Sequence, residues 1–509
     1  MPEKSNTKQI AKNTLMLYFR QILIMLVSLY TVRIVLNVLG AEDYGIYNVV
    51  AGVVTMFNFL GHSMASASQR YFSYDLGKGN NEHLKITFSV TFQIYLLLAI
   101  IIVLVAETLG LWFVNNKLVI PDGRMIAANW IFQAAIFSFL ITLITTPYMA
   151  VIIAHENMNV YAYASIIEAI LKLLIVFILK IFSYDKLIVY GILLSCVSLI
   201  NTSIYRIYCH KKYPESKLIF IRDIKYLKEI LDYSGWNLFG SVSTVIKKQV
   251  LNILLNQFYG PVISATRTIA SQVNTAVSSF ANNFSTALRP QIIKTYAKGE
   301  KDETFNLVYR GCKLTFFLMY IFTLPLVIEM EIVLKIWLKT PPEQVVIFTR
   351  LALIEALILS ISYPIMSLSH ASGKIKLYQG VVGGTLLLNL PLSWLVLSFG
   401  YPAYSVMLVT VLLEIIAFVL RLIIIKRIAG MSIYEYFLNT IIPCVSVAIV
   451  SMILPLLVYY IIDSSIVRLF IIILFSTIGI VFSAFYIGIN KSERKILIDY
   501  LKQRIKFSK

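Results

Sequence analysis

The chain is written in long apolar runs separated by short polar intervals. Fourteen runs reach the roughly 20 mostly apolar residues that a helix needs to cross a bilayer. They cover 13–38, 44–66, 86–113, 125–152, 160–182, 187–208, 233–257, 262–287, 305–329, 345–369, 376–397, 401–425, 439–461 and 466–489. The pattern predicts an all-α integral membrane protein with about 14 transmembrane helices. The seventh run is the weakest, because Lys247 and Lys248 sit in its middle. Two intervals read as basic amphipathic helices lying on the inner surface. Over 217–234, Phe220, Ile224, Leu227 and Leu231 share a face opposite Arg222, Lys225 and Lys228. The C-terminal ERKILIDYLKQRIKF repeats the pattern through Leu497, Leu501 and Ile505.

Composition excludes a soluble fold. Hydrophobic residues make up 58% of the 509 and charged ones only 14%, where soluble proteins carry about 25% charge. The first run is too long for a signal-peptide core and is expected to be retained. Four cysteines, Cys196, Cys209, Cys312 and Cys444, lie far apart with no metal or redox spacing and read as small core residues. A net charge of +19 would suggest nucleic acid in a soluble chain. Here the cations cluster between the runs and orient the protein, so no nucleic-acid partner is implied. With the N-terminus in the cytoplasm, 29 of the 45 lysines and arginines fall on the cytoplasmic side and 7 on the other. The positive-inside rule thus puts both termini in the cytoplasm.

The two halves echo each other at an offset near 220. NVLGAEDYGIYN (37–48) meets NQFYGPVISATR (256–267), matching Gly40 to Gly260. YFSYDLGKGNNEHL (71–84) meets IIKTYAKGEKDETF (292–305), matching Gly79 to Gly299. TTPYMAVIIAHEN (145–157) meets SYPIMSLSHASGK (362–374), matching Pro147 to Pro364. Six spans per half make this a parallel repeat, whose substrate is expected between the lobes. The organisation read from it is an N-lobe over 1–210, a linker helix over 211–232, a C-lobe over 233–428, and a last helix pair with the basic tail over 429–509.

Polar groups inside the runs carry the candidate chemistry. From Arg267, helical steps reach Ser271, Asn274, Ser278, Asn282 and Ser285; the matching stripe in the second run is Thr55, Asn58, His62, Ser66 and Gln69. Small polar residues also tie membrane helices together, which would account for the serines and threonines. Asparagine, histidine and arginine on the same stripes point instead to a wet cavity. Nine cations lie at bilayer depth: Arg20, Arg33, Lys172, Lys247, Lys248, Arg267, Arg310, Lys313 and Arg350. Three acids, Glu168, Glu355 and Glu414, are set against them. A charge there costs at least ~2.5–3.5 kcal/mol, so an unmatched one implies water, a partner or a ligand. Lys172 has Glu168 one turn away. Glu355 is a neutralising group for Arg350 at a poor i,i+5 spacing, and Arg33, Arg310, Lys313 and Arg350 are placed to snorkel. Arg20, Lys247, Lys248 and Arg267, with Arg33, remain as candidates to bind an anion. Asn58, His62, Gln69, Ser271, Asn274, Ser278 and Asn282 would line the cavity, and Glu168, Glu355, Glu414 or His62 would couple an ion. No catalytic triad, metal-ligand cluster or Walker motif is present in the sequence.

With VRIVLNVLGAEDYGIYNVVAG (32–52) and ASASQRYFSYDLGKGN (65–80), the chain resembles bacterial polysaccharide exporters of the Wzx flippase type. These belong to the multidrug/oligosaccharidyl-lipid/polysaccharide (MOP) superfamily, with the MATE drug exporters and the lipid II flippase MurJ. The resemblance implies a two-lobe MATE/MurJ-like bundle in the bacterial cytoplasmic membrane. It also implies a cationic central cavity that moves undecaprenyl-pyrophosphate-linked oligosaccharide to the outer leaflet by alternating access. The product would be O-antigen, capsule or another surface polysaccharide. Partners would be that lipid-linked sugar, membrane lipids and polysaccharide assembly proteins such as a polymerase. No cofactor is expected beyond H+ or Na+ as coupling ion. MurJ places essential arginines in its first, second and eighth spans; Arg20 and Arg267 fit the first and eighth, while the second offers only His62 and neutral polar groups. Two other readings stand beside this one. A MATE-type exporter of cationic drugs usually has twelve spans and needs cavity carboxylates, which the first run lacks. A polysaccharide polymerase or ligase needs a large external loop, and the longest here are about 107–124 and 330–344.

Overall fold

The computed structural model describes residues 2–55, 57–118, 120–181, 184–219, 223–490 and Arg494. Among the described residues every regular element is helical. The amphipathic tail beyond Arg494, and Phe220 and Arg222 of the other amphipathic segment, lie outside the described residues. Among the described residues, twelve helices are long and apolar enough to cross a membrane, or thirteen when a bent pair is counted as one span. The protein is a multi-pass membrane protein.

Two compact units divide the chain. The first is Gln9–Leu238; the second is Phe239–Lys509 with Met1–Lys8. In the first, α1 (Pro2–Thr55) is broken at Gly40 and is followed by α2 (Asn58–Lys78) and α3 (Asn81–Val105). A short π-turn and α4 (Leu111–Asn116) follow, then α5 (Met125–Ala154), α6 (Met158–Ile178) and α7 (Lys186–Lys212). α8 (Ile224–Ala297) begins in the first unit and continues through the second, broken at Gly260. The second unit adds α9 (Lys301–Ile328), α10 (Met330–Leu338), α11 (Val345–Ser372), α12 (Ile375–Leu387) and α13 (Asn389–Ser398). It closes with α14 (Ser405–Ala429), α15 (Ile433–Tyr436), α16 (Ile442–Ile461) and α17 (Ile466–Ser483).

The repeat seen in the sequence reappears as backbone geometry. Gly40 has φ 84° and ψ 168°, and Gly260 has φ 79° and ψ −177°. Both lie in a region that essentially only glycine enters, and both break one long helix at the same place in their half. Gly79 and Gly299 follow the helices before them with φ of 70° and 82°, the left-handed caps that end a helix without a Cβ penalty. Pro147 and Pro364 lie inside α5 and α11.

The structure departs from the hydropathy reading in three places. The second span is two pieces, Glu42–Val54 and Asn58–Lys78, bent by 46°, not one helix over 44–66. The amphipathic segment begins its helix at Ile224 and runs unbroken into the seventh span. The stretch 262–287 is helical but too polar to pass the hydropathy test that picks out the other spans. Its polar side chains hold a partner helix on one side, as described below.

Close packing positions these helices. A Cβ on Gly191 of α7 would come within 2.7 Å of Ile131 and 3.2 Å of Ala134 on α5. One on Gly311 of α9 would collide with Leu288 of α8 and lie 3.1 Å from Pro364 of α11. Small residues let membrane helices approach in this way. The last two helices are joined to α9 by an apolar cluster of Phe316, Phe317, Tyr320, Cys444, Val447 and Ile480. There Arg468 Nε also donates to buried Glu329 at 2.5 Å.

Candidate functional site

In the first unit a cavity of about 450 Å³ opens between α1 and α6, lined by Arg20, Gln21, Ser28, Thr31, Ser165, Glu168 and Lys172 among others. The side chain of α1 that matters most is Arg20, whose guanidinium lies 4.6 Å from the ring centre of Tyr161 on α6. Cation–π contact of this kind orients the group. A second cavity of about 230 Å³ includes Tyr47, Asn58, Ser138, Thr142 and Ser198 in its wall, and again Glu168 and Lys172. Asn58 reaches it because the second span bends just before that residue. Irregular backbone at membrane depth is tolerated where it lines a cavity.

Glu168 and Lys172 therefore stand in the wall common to both cavities. Lys172 Nζ donates to Glu168 Oε1 at 2.6 Å, the pair that the i,i+4 spacing predicts. The other carboxylate oxygen accepts from Asn201 Nδ2 of α7 at 2.8 Å. Sequence reasoning missed Asn201; the polar run INTS at 200–203 inside an apolar span was the available signal.

The second unit holds a buried charge network. Lys247 Nζ on α8 lies 2.8 Å from Glu355 on α11 and 3.5 Å from Glu414 on α14. Arg421, two turns beyond Glu414, donates to it at 2.7 Å and to Ser362 at 3.2 Å. Lys247 is thus matched by two carboxylates, against the expectation that it stands unneutralised. Glu355 serves Lys247 and not Arg350, since five residues on a helix point to different faces. Arg350 instead donates to the carbonyls of Val327 and Ile328 at the end of α9, where a cation suits the helix terminus. Arg421 counts as cytoplasmic by position, yet it is only 1% exposed. Its i,i+7 relation to Glu414 was the overlooked signal. Arg267, also buried, donates to Asn252 on its own kinked helix and has Glu355 within electrostatic reach.

The polar stripe after Gly260 divides in two. Asn274 Nδ2 donates to the Ala352 carbonyl on α11 at 2.7 Å, and Ser278 donates back to Asn274 Oδ1 at 3.0 Å. This part ties helices together. Ser285 is buried, Ser271 half-buried and Asn282 exposed. Thr268, Gln272, Thr275 and Asn282, one step round the helix, are the exposed polar face. In the matching stripe Asn58 is exposed, Ser66 half-buried and Gln69 buried. The side chains of Arg33, Thr55, His62 and Lys248 lie outside the described residues. Lys313 is 2% exposed, so it does not snorkel. Two further acids, Glu107 and Glu329, fall at the ends of the third and ninth runs; Glu107 accepts from Gln133 at 3.0 Å.

A family model described as polysaccharide biosynthesis protein matches residues 10–296. Among solved structures, a MATE in the bent conformation superposes with a TM-score of 0.72 at 11% identity, over 84% of this chain and 96% of that one. An outward-facing multidrug resistance MATE family transporter of the MOP superfamily gives 0.71 at 13%, over 84% and 96%. The Vibrio cholerae MATE transporter VcmN in the bent form gives 0.64 at 16%, over 86% and 100%. At these identities the likeness is one of fold. No curated protein matches the sequence.

Proposed function

The chain belongs to the polysaccharide biosynthesis protein family, and from that premise we propose that it is a flippase for a lipid-linked oligosaccharide. It has the fold of MATE transporters and is a transporter, not an enzyme. The substrate read here is a polyprenyl-pyrophosphate-linked sugar, moved from the cytoplasmic to the outer leaflet of a bacterial cytoplasmic membrane for surface polysaccharide synthesis. Both termini face the cytoplasm in this reading, as the cation count favours.

One observation carries the proposal: Arg20 and Lys172 line one chamber of the first unit, where Lys172 is paired with Glu168. Two cationic side chains in one wall favour an anion where it is otherwise excluded. Arginine offers a planar fork of donors to phosphate, and lysine a compact charge. The polyprenyl tail stays in lipid while the pyrophosphate and sugar cross through the chamber. A proton or sodium ion is the proposed coupling ion, with Glu168 the carboxylate placed to sense it.

Replacing Arg20 with alanine should lower surface-polysaccharide display roughly 10–100-fold, the measure of one or two charge-assisted hydrogen bonds, at unchanged protein level in the membrane. Wild-type display by the Arg20→Ala/Lys172→Ala double variant would reject the proposal. A second reading, export of cationic drugs, draws on the MATE fold and on the carboxylate in the chamber. It expects drug resistance on overexpression and loss of that resistance in Glu168→Gln.

A further inference from the structure

The stretch of α8 after Gly260 carries no charge from Thr268 to Leu288, and Arg267 and Arg289 bracket it. These 21 residues rise about 31 Å, the thickness of a hydrocarbon core. One face of the stretch is polar and uncovered. Thr268, Gln272, Thr275 and Asn282 are exposed, and Ser279 and Thr286 continue the same row half-buried. Lipid does not suit this face, because hydrocarbon leaves amides and hydroxyls unsatisfied. Among the described residues between Val262 and Leu314 no large apolar side chain is exposed, whereas α14, α16 and α17 of the same unit each turn several outward. An ion does not suit it either, since the row offers no opposite charge.

Its chemistry is that of a partner for hydroxyl groups. Thr275, Ser279 and Thr286 donate to the carbonyls of Ser271, Ala276 and Asn282 on their own helix, at 2.8, 2.7 and 2.8 Å. Their oxygens are left as acceptors. The side-chain amides of Gln272 and Asn282 supply donors and acceptors together, and neither has a hydrogen-bond partner among the described residues. The two amides stand about 15 Å apart along the axis, farther than one sugar ring reaches.

We propose that this row binds the neutral oligosaccharide of the lipid-linked substrate through a ladder of uncharged hydrogen bonds from Gln272 to Asn282. Each sugar hydroxyl both gives and takes a hydrogen bond, which hydroxyl acceptors set between amides can match. Several weak contacts hold a chain of sugars yet let it move on. The inference rests on the flippase reading and adds to it that the glycan has contacts of its own on α8, with no charged group among them.

The test uses the full-length protein in detergent and two probes that differ only in sugar. One is undecaprenyl pyrophosphate; the other is the lipid-linked oligosaccharide extracted from the cells that make this protein. The wild type should bind the second roughly tenfold or more tightly, the measure of two hydrogen bonds. Gln272→Leu/Asn282→Leu should lose that preference and bind undecaprenyl pyrophosphate as the wild type does. Alkylation of Thr275→Cys, read at that site by mass spectrometry, should slow about threefold or more with saturating oligosaccharide and not with the bare pyrophosphate. That measurement decides the matter even if the leucine variant does not fold. Equal binding of the two probes by the wild type, a preference retained by the double variant, or alkylation indifferent to the sugar would overturn the inference and leave the flippase reading standing. Failure of the wild type to bind either probe would overturn both.

Discussion

Glu414 sits between two cations, Lys247 and Arg421, and is itself only 2% exposed. Each member of this cluster is tolerable because the others are there. Removing one partner of a buried pair leaves an uncompensated charge and costs about 3–5 kcal/mol, whereas removing both is often nearly neutral. Glu414→Gln should therefore lower the thermal unfolding midpoint in detergent sharply, and Glu414→Gln with Arg421→Met should recover most of the loss. A double variant no better than the single would mean that the residues do not act as a unit. None of this was readable from span positions. Which carboxylate meets which cation depends on how α8, α11 and α14 are rotated, and hydropathy does not report rotation. The Glu168–Lys172 pair was readable because both residues lie on one helix.

At the scale of elements, hydropathy located the helices well and their breaks poorly. Helices α5, α6 and α7 match the runs 125–152, 160–182 and 187–208 to within a few residues. No proline marks the bend after Val54, and Gly52 just before it keeps helical backbone, so a single helix was the natural expectation. The breaks at Gly40 and Gly260 had a signal in the repeat itself. Ala at position 260 would meet no atom within 4 Å, so its cost is conformational alone, about 1–3 kcal/mol. Gly45 has the same open surroundings in a helical stretch, and alanine there should gain roughly 0.5–1 kcal/mol. Opposite signs for Gly260→Ala and Gly45→Ala in thermal unfolding are the expected outcome; a stabilising Gly260→Ala would contradict the kinked geometry. Glu156 marks where the halves have diverged. It takes φ 62° at the place where the other half has Gly373 at φ 72°.

Stability of the whole molecule should depend on acid through clusters at the two ends of α5. At one end Arg124 bridges Asp43 and Asp185, at 2.5 Å to each. Burial alone would raise the Asp185 carboxyl, but hydrogen bonds from Arg124 and from the Ile188 and Leu187 amides outweigh it and hold it below its ordinary value. At the other end burial pushes Glu215 up, and the hydrogen bond with His155, a backbone hydrogen bond and the charges of His155 and Lys85 together outweigh it, again leaving the carboxyl low. Both folded carboxyls are depressed, so the stability they contribute is present above their ordinary values and lost as pH falls through the folded ones. The unfolding midpoint should hold steady down to about pH 5 and then drop. Asp185→Asn should lower it at pH 7, and the gap to the wild type should narrow as pH falls below about 4; a gap unchanged at pH 3 would assign the loss to something other than charge. The broad plan of the molecule, a membrane-embedded helical repeat, was legible because hydrocarbon imposes length and composition on every span. The chamber was legible only in part, since its wall depends on side chains from α1, α5, α6 and α7 meeting in space.

The bond between Arg468 and Glu329 bears on how such a chain can be shortened. A version ending near Gly430 would lose the last two of the twelve apolar helices and leave the Glu329 carboxylate, 1% exposed today, without Arg468. The terminal hairpin is therefore not a detachable accessory: removing it calls for a neutral side chain at position 329 as well.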